Sequence, residues 1–293
     1  MLVCVVLALL TSASNATASV LQRRAASQAS SSKSMHLSLI ADLARRKVWL
    51  AGIGMVIVAA LFQAGALATG PVALVQPIFI IELPLALLLG SFVMRRQIPR
   101  RIWIAVAAVT VGLGTGLAVA QPGGGTGQAP NGLWLLALIA VGAFEFVVIS
   151  AALRVRGEPR AALLGLAAAC GYALTAALLK NAMADLNAGA AEFFTSWHIY
   201  AVALAGVGSL FLLQNALQAG SLVASQPMLT VGDALISISL GVTLFSEQLR
   251  VGWWLLPEIV ALAAIIIGCV QIAKSPLASE STPLVSETAS TVQ

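Results

Sequence analysis

Four carboxylates lie where carboxylates are costly. Glu82, Glu145, Asp233 and Glu258 each fall inside an apolar run of membrane-spanning length. An ionised acid at the centre of a bilayer costs about 2.5–3.5 kcal/mol on insertion scales, so such residues turn toward a bundle interior or a water-filled path. Glu82, Glu145 and Asp233 are near the middle of their runs, and Glu258 is nearer one end. A carboxyl held away from water can exchange a proton for a cation. The plainer role is a protonated acid that hydrogen-bonds two helices together.

Amides and prolines accompany the acids. Asn15, Gln63, Gln214 and Asn215 are candidate partners for a polar solute or for a neighbouring helix. Ser12, Ser14 and Thr17 add a polar face to the first run. Pro77, Pro84 and Pro227 lie inside two of the runs. Each removes a backbone donor and frees a carbonyl, so all three are candidate helix breaks. Gly112 and Gly116 have the spacing of a close helix contact.

The acids belong to a repeat. FQAGALATGPVALVQPIFIIELPLALLLG is echoed by LQNALQAGSLVASQPMLTVGDALISISLG. Gln63 matches Gln214, Gln76-Pro77 matches Gln226-Pro227, Glu82 matches Asp233, and Gly90 matches Gly241. Duplicated membrane segments with a binding site at their interface are a common plan for secondary transporters.

The elements that must carry these residues are membrane helices. The chain is 59% hydrophobic and 9% charged, with mean hydropathy +0.96. Soluble domains are nearer 45–50% apolar and about 25% charged. Nine runs approach the roughly 20 residues needed to cross a bilayer. They fall at 2–20, 48–69, 71–94, 102–121, 132–153, 161–184, 197–218, 222–246 and 252–273. The first is read as a true span, because Arg23 and Arg24 follow the apolar stretch where a signal peptide would place its charge before it.

With the N-terminus outside, fourteen of the sixteen Lys and Arg fall on the inner side. Only Lys180 and Arg250 fall outside. Basic residues accumulate on the cytoplasmic side, which predicts an outside N-terminus and a cytoplasmic C-terminus in the plasma membrane. All six tryptophans, Trp49, Trp103, Trp134, Trp197, Trp253 and Trp254, stand at span starts and read as an interfacial belt. Lys180 reads as a snorkelling side chain and His198 as an interfacial one.

Spans 1–4 correspond to spans 6–9, with span 5 unpaired. An odd helix between the halves inverts them. The expected fold is therefore all-α, a polytopic bundle of nine transmembrane helices in a 4+1+4 inverted repeat. Residues 1–121 form the first repeat, including a cytoplasmic linker at 21–47. Residues 132–153 form the linking helix, 161–274 the second repeat, and 275–293 a disordered cytoplasmic tail. Residues 25–34 read as a polar linker, and 35–46 as a short amphipathic surface helix with Leu37, Ile40 and Leu43 toward lipid. Residues 122–131 read as a flexible outer loop.

Several chemistries are absent from the sequence. There is no Walker A sequence, no His-Glu-x-x-His and no Gly-x-Ser-x-Gly, so neither ATP hydrolysis nor an enzyme is expected, and no cofactor. Cys4, Cys170 and Cys269 lie in apolar runs and form no metal spacing. The net charge of +5 reports orientation, and no nucleic-acid partner is expected.

The run ALFQAGALATGPVALVQPIFIIELPLALLLG, the segment SLVASQPMLTVGDALISISLGVTLFSEQLRVGWWLL and the opening VLALLTSASNATASVLQRRAA resemble the drug/metabolite transporter superfamily. Within it they are most similar to the EamA-like bacterial branch related to the NIPA-type magnesium transporters, which have nine spans. The resemblance covers about residues 1–274. Glu247 and Leu249 match the acid typical of that helix end, whereas the first copy has Arg95-Arg96-Gln97 there.

The resulting expectation is a secondary transporter of a small polar or cationic solute, driven by a gradient and open to proton coupling. The alternative cargo is a divalent cation such as Mg²⁺, held by Glu82 and Asp233, since Mg²⁺ prefers oxygen ligands. A third reading is a membrane interaction or regulatory protein whose acids are structural. The expected partners are the solute and the lipid bilayer, and a homodimer stays open.

Overall fold

The computed structural model describes residues 1–27, 47–93, 97–250 and 252–275. The expected linker at 28–46 with its surface helix, the Arg95-Arg96 pair and the tail from 276 lie outside the described residues. The described residues are all but wholly helical. In chain order the helices are α1 (Leu2–Ser27), α2 (Lys47–Thr69), α3 (Val72–Ile78), α4 (Glu82–Val93), α5 (Arg100–Ala120), α6 (Asn131–Ala152), α7 (Glu158–Ala188), α8 (Ala190–Thr195), α9 (Trp197–Ala219), α10 (Leu222–Phe245) and α11 (Leu255–Ala273). A single 3₁₀ turn, Phe79–Ile81, joins α3 to α4. Among the described residues nine segments are long and apolar enough to cross a membrane, with α3 and α4 together making one of them. These are the helices of a multi-pass membrane protein.

α7 is the centre of the bundle. α9, α10 and α6 pack against it, and α2 touches it as well. Ala167, Ala168, Ala169, Ala173, Ala176 and Ala177 are all buried on α7. Small residues let backbones approach closely where lipid supplies no hydrophobic drive between helices. A Cβ on Gly165 would lie 2.6 Å from the Ser225 carbonyl oxygen on α10, and one on Gly171 would strike the Ser209 hydroxyl on α9. α1 packs on α2 and on both halves of the broken span, while α5 pairs with α11. There the expected close contact is observed, since a Cβ on Gly112 would lie 2.9 Å from the Ala261 carbonyl oxygen.

The third span breaks and the eighth does not. Pro77 and Pro84 lack the N–H groups that would have bonded the Ala73 and Ile80 carbonyls. Between them the ladder tightens, and the Glu82 N–H turns back to the Phe79 carbonyl. Pro227 was expected to break its span as well, but α10 runs unbroken through it. The reason is local. Pro227 sits in the second turn and costs one bond to Val223, and the position matching Pro84 is Leu235.

Two further expectations are corrected at the end of the bundle that carries Met1. The outer loop is not free: Gly123 and Gly124 pair antiparallel with Gln248 and Glu247, and the Thr126 N–H donates to the Phe245 carbonyl at 2.7 Å. Trp134 does not belong to an interfacial belt. It is 1% exposed and meets Trp197, His198 and Phe245 edge-on or tilted.

Candidate functional site

Glu82 is the first residue of α4, placed by the proline-induced break in its span. Its Oε2 accepts a hydrogen bond of 3.1 Å from Asn15 Nδ2 on α1. Asp233 lies near the midpoint of α10, where Ser237 one turn on donates to its Oδ1 at 3.3 Å. Both carboxylates are half-buried. α10 packs along α7 and also meets α3 and the 3₁₀ turn that precedes Glu82, so the spans that carry the two acids adjoin.

The remaining candidates stand apart from this group. Glu258 lies in the first turn of α11, and its Oε1 is buried without a partner among the described residues. Gln214 is exposed, although its sequence equivalent Gln63 is half-buried. Asn215 gives its amide to the Phe211 carbonyl of its own helix at 2.8 Å. Gln76 is buried, and its Nε2 has no partner among the described residues. It therefore keeps donors available for a solute or water.

Two cavities occur elsewhere in the described residues, and neither is lined by Glu82, Glu145 or Asp233. One, of about 470 Å³, lies between α6 and α10 over Cys170, walled by Val141, Phe144, Ile236 and Leu240. The other, of about 340 Å³, lies at the Met1 end among Gly70, Pro71, Gly124–Gly127 and Lys180. No group of three His, Cys, Asp or Glu capable of holding a metal occurs among the described residues.

The most tightly bonded acid was not among the sequence candidates. Glu247 accepts from Lys180 Nζ at 2.6 Å, from the Val72 N–H at 2.7 Å and from the Ala73 N–H at 2.8 Å. It thereby caps the first turn of α3 with a full negative charge, which the helix dipole favours. Lys180 does not snorkel as expected: it is buried, and it also lies 4.7 Å from the centre of the Phe245 ring. Gly241, marked only by the repeat, makes the space, because a Cβ there would collide with the Glu247 carboxylate. The signals were the sequence resemblance at Glu247 and a lysine inside an apolar helix. Only folding joins residues 67 positions apart.

His198 is likewise buried, not interfacial. Its Nδ1 lies 2.9 Å from Asp185 Oδ2 and 2.7 Å from Ser196 Oγ, and its Nε2 lies 3.1 Å from Asn181 Nδ2. Ser196 also donates to Asp185 Oδ2 at 2.6 Å. This is no nucleophilic triad: serine and aspartate crowd the same ring nitrogen, whereas a triad puts them on opposite ones. Asn181 Oδ1 accepts from the Ala129 N–H and from Trp134 Nε1, so the cluster ties the loop, α6, α7 and α9 together.

Comparison with known proteins adds one relative. The chain is 24% identical over 277 residues to an uncharacterized protein of Corynebacterium glutamicum, covering 94% of this chain and 96% of that one. No protein family is matched. No solved structure is matched either.

Proposed function

We propose that this chain is a secondary transporter that moves a small polar or cationic solute across the plasma membrane in exchange for protons. The observation that carries this reading is that the spans bearing Glu82 and Asp233 pack against each other beside the central helix. Two half-buried carboxylates thus stand on adjoining spans, each with one polar neighbour, where a static protein gains little from acids. The unpartnered Gln76 amide adds polar capacity on the broken span.

The packing supports a 4+1+4 inverted repeat. α1 pairs with α2 as α7 pairs with α9, and α1 meets the third span as α7 meets the eighth. The contacts between α3 and α10 and between α5 and α11 join equivalent elements of the two halves. The Lys and Arg asymmetry supports an outside N-terminus, which would put the Met1-end cavity on the outer face. The sequence resemblance to the drug/metabolite transporter superfamily agrees with this plan.

A magnesium cargo suits the same pair, since Mg²⁺ keeps most of its water and needs one or two carboxylates. One experiment covers the readings. Purified protein in liposomes is assayed for amine, amino-acid and Mg²⁺ flux under an imposed pH gradient, alongside Glu82→Gln and Asp233→Asn. Solute flux that falls to background in both variants, with normal folding, supports the proposal. Mg²⁺ flux alone selects the second cargo. Flux unchanged in both variants would remove the acids from the mechanism.

A further inference from the structure

We propose that Lys180 and Glu247 form a latch that holds α3 closed at the Met1 end of the bundle. Its release lets α3 pivot about Pro77–Ile81 and opens a path from the Met1-end cavity toward Glu82. This rests on the transporter reading and deepens it, because a mid-span site must be closed to one side before it opens to the other.

Four observations meet at this point. First, α3 is a separate half-helix of seven residues, divided from α4 by the 3₁₀ turn at Phe79–Ile81. Proline-broken ladders bend where the backbone bonds are missing. The bend adjoins Glu82, so motion of α3 would change the surroundings of that carboxylate. The equivalent α10 is continuous, which makes α3 the movable partner.

Second, the far end of α3 is held by side-chain bonds in addition to its own backbone bonds to the Pro71 carbonyl. Glu247 holds the Val72 and Ala73 N–H groups and Lys180 together, and thus fastens α3 to α7 and to the end of α10. Third, the pair is fully inside, with side-chain exposures of 7% for Lys180 and 0% for Glu247. Two charges taken out of water gain little net stability over apolar residues of the same volume, and the best-attested use of such pairs is to specify one arrangement over another. Fourth, Lys180 also lines the Met1-end cavity beside Gly70 and Pro71. Water or solute entering there offers its ammonium a competing partner. Gly241 and Gly125 leave the clearance in which the Glu247 side chain sits.

A native cysteine reports on opening. Cys4 on α1 is fully buried, and a Cβ on Gly70 would collide with it, so it lies directly under the α2–α3 corner. Cys269 is fully buried on α11 against α5, away from that corner. The test labels the full chain in lipid nanodiscs, where both faces are accessible, with a water-soluble maleimide, and reads each cysteine by mass spectrometry.

In Lys180→Met and in Lys180→Met/Glu247→Leu, Cys4 labels at least about tenfold faster than in the parent, because the first removes the tie from Glu247 to α7 and the second also removes the acceptor of the Val72 and Ala73 N–H groups. Cys269 stays protected. The double variant leaves no uncompensated charge and guards against simple misfolding. Adding Pro84→Ala to Lys180→Met restores slow labelling by stiffening the pivot.

Cys4 as slow as in the parent overturns the latch. Equal acceleration of Cys4 and Cys269 also overturns it and marks a plain structural brace. Fast labelling that persists with Pro84→Ala overturns the pivot. Flux on the same variants keeps the two readings separate: Cys4 opening without any solute movement removes transport and leaves the latch, and Glu82-dependent flux with Cys4 unmoved does the reverse.

Discussion

Asn15 Nδ2 donates to Glu82 Oε2 across 3.1 Å, so the polar face of α1 is fastened to the residue at which the third span resumes its helix. Glu82→Gln keeps an oxygen that can accept from Asn15 but loses the exchangeable proton. Flux should fall to background, while stability changes by less than about 1 kcal/mol, since membrane hydrogen bonds average about 0.6 kcal/mol. Asn15→Ala should reduce flux less, because it leaves the carboxyl in place. Liposome flux and thermal unfolding in detergent measure the two effects on the same samples.

Gly241→Ala drives a methyl group into the Glu247 carboxylate. Overpacking of this kind costs about 1–3 kcal/mol. Gly114→Ala is the control, because a Cβ there meets nothing within 4 Å. It should be neutral or stabilise by up to about 1 kcal/mol, the helix preference for alanine over glycine. The two variants should shift the midpoint of thermal unfolding in opposite directions or by clearly unequal amounts.

Asn181→Leu removes the acceptor shared by the Ala129 N–H and Trp134 Nε1. A buried donor left without a partner costs about 1–3 kcal/mol. The protein should therefore unfold earlier, and its tryptophan emission should shift to the red as Trp134 loses its buried position. An unchanged emission spectrum would count against the role assigned to this cluster.

Pro84→Ala returns an N–H that can bond the Ile80 carbonyl and close the 3₁₀ turn into continuous helix. Proline in a helix interior costs about 3 kcal/mol, so stability should rise by some fraction of that. Amide hydrogen exchange across residues 79–83 should slow. Flux should fall, because the break that places Glu82 is mended.

The two halves of the molecule show how far patterns carry. Apolar run length located every span, because a bilayer of fixed thickness sets the length of any helix that crosses it. The likeness of the segments around Glu82 and Asp233 is legible in the sequence alone. The fate of the prolines was only partly legible. Pro77 and Pro84 act together, while Pro227 acts alone near a helix start where one lost bond is tolerated. Lys180 and His198 were misread because a basic or aromatic residue near a span end looks the same whether it faces headgroups or a neighbouring helix. Side-chain direction depends on partners that sequence distance conceals.

What the sequence by itself determined is what local chemistry dictates: a membrane chain whose apolar runs become nine span-length helices among the described residues, and their approximate boundaries. What only the tertiary structure decided is which of these groups meet. Asn15 reaches Glu82 across 67 positions, and Glu247 reaches Val72 across 175. Such contacts are set by how helices of nearly uniform hydrophobicity rotate and cross, and that depends on small residues such as Gly165, Gly171 and Gly241 that let one particular pair of backbones approach.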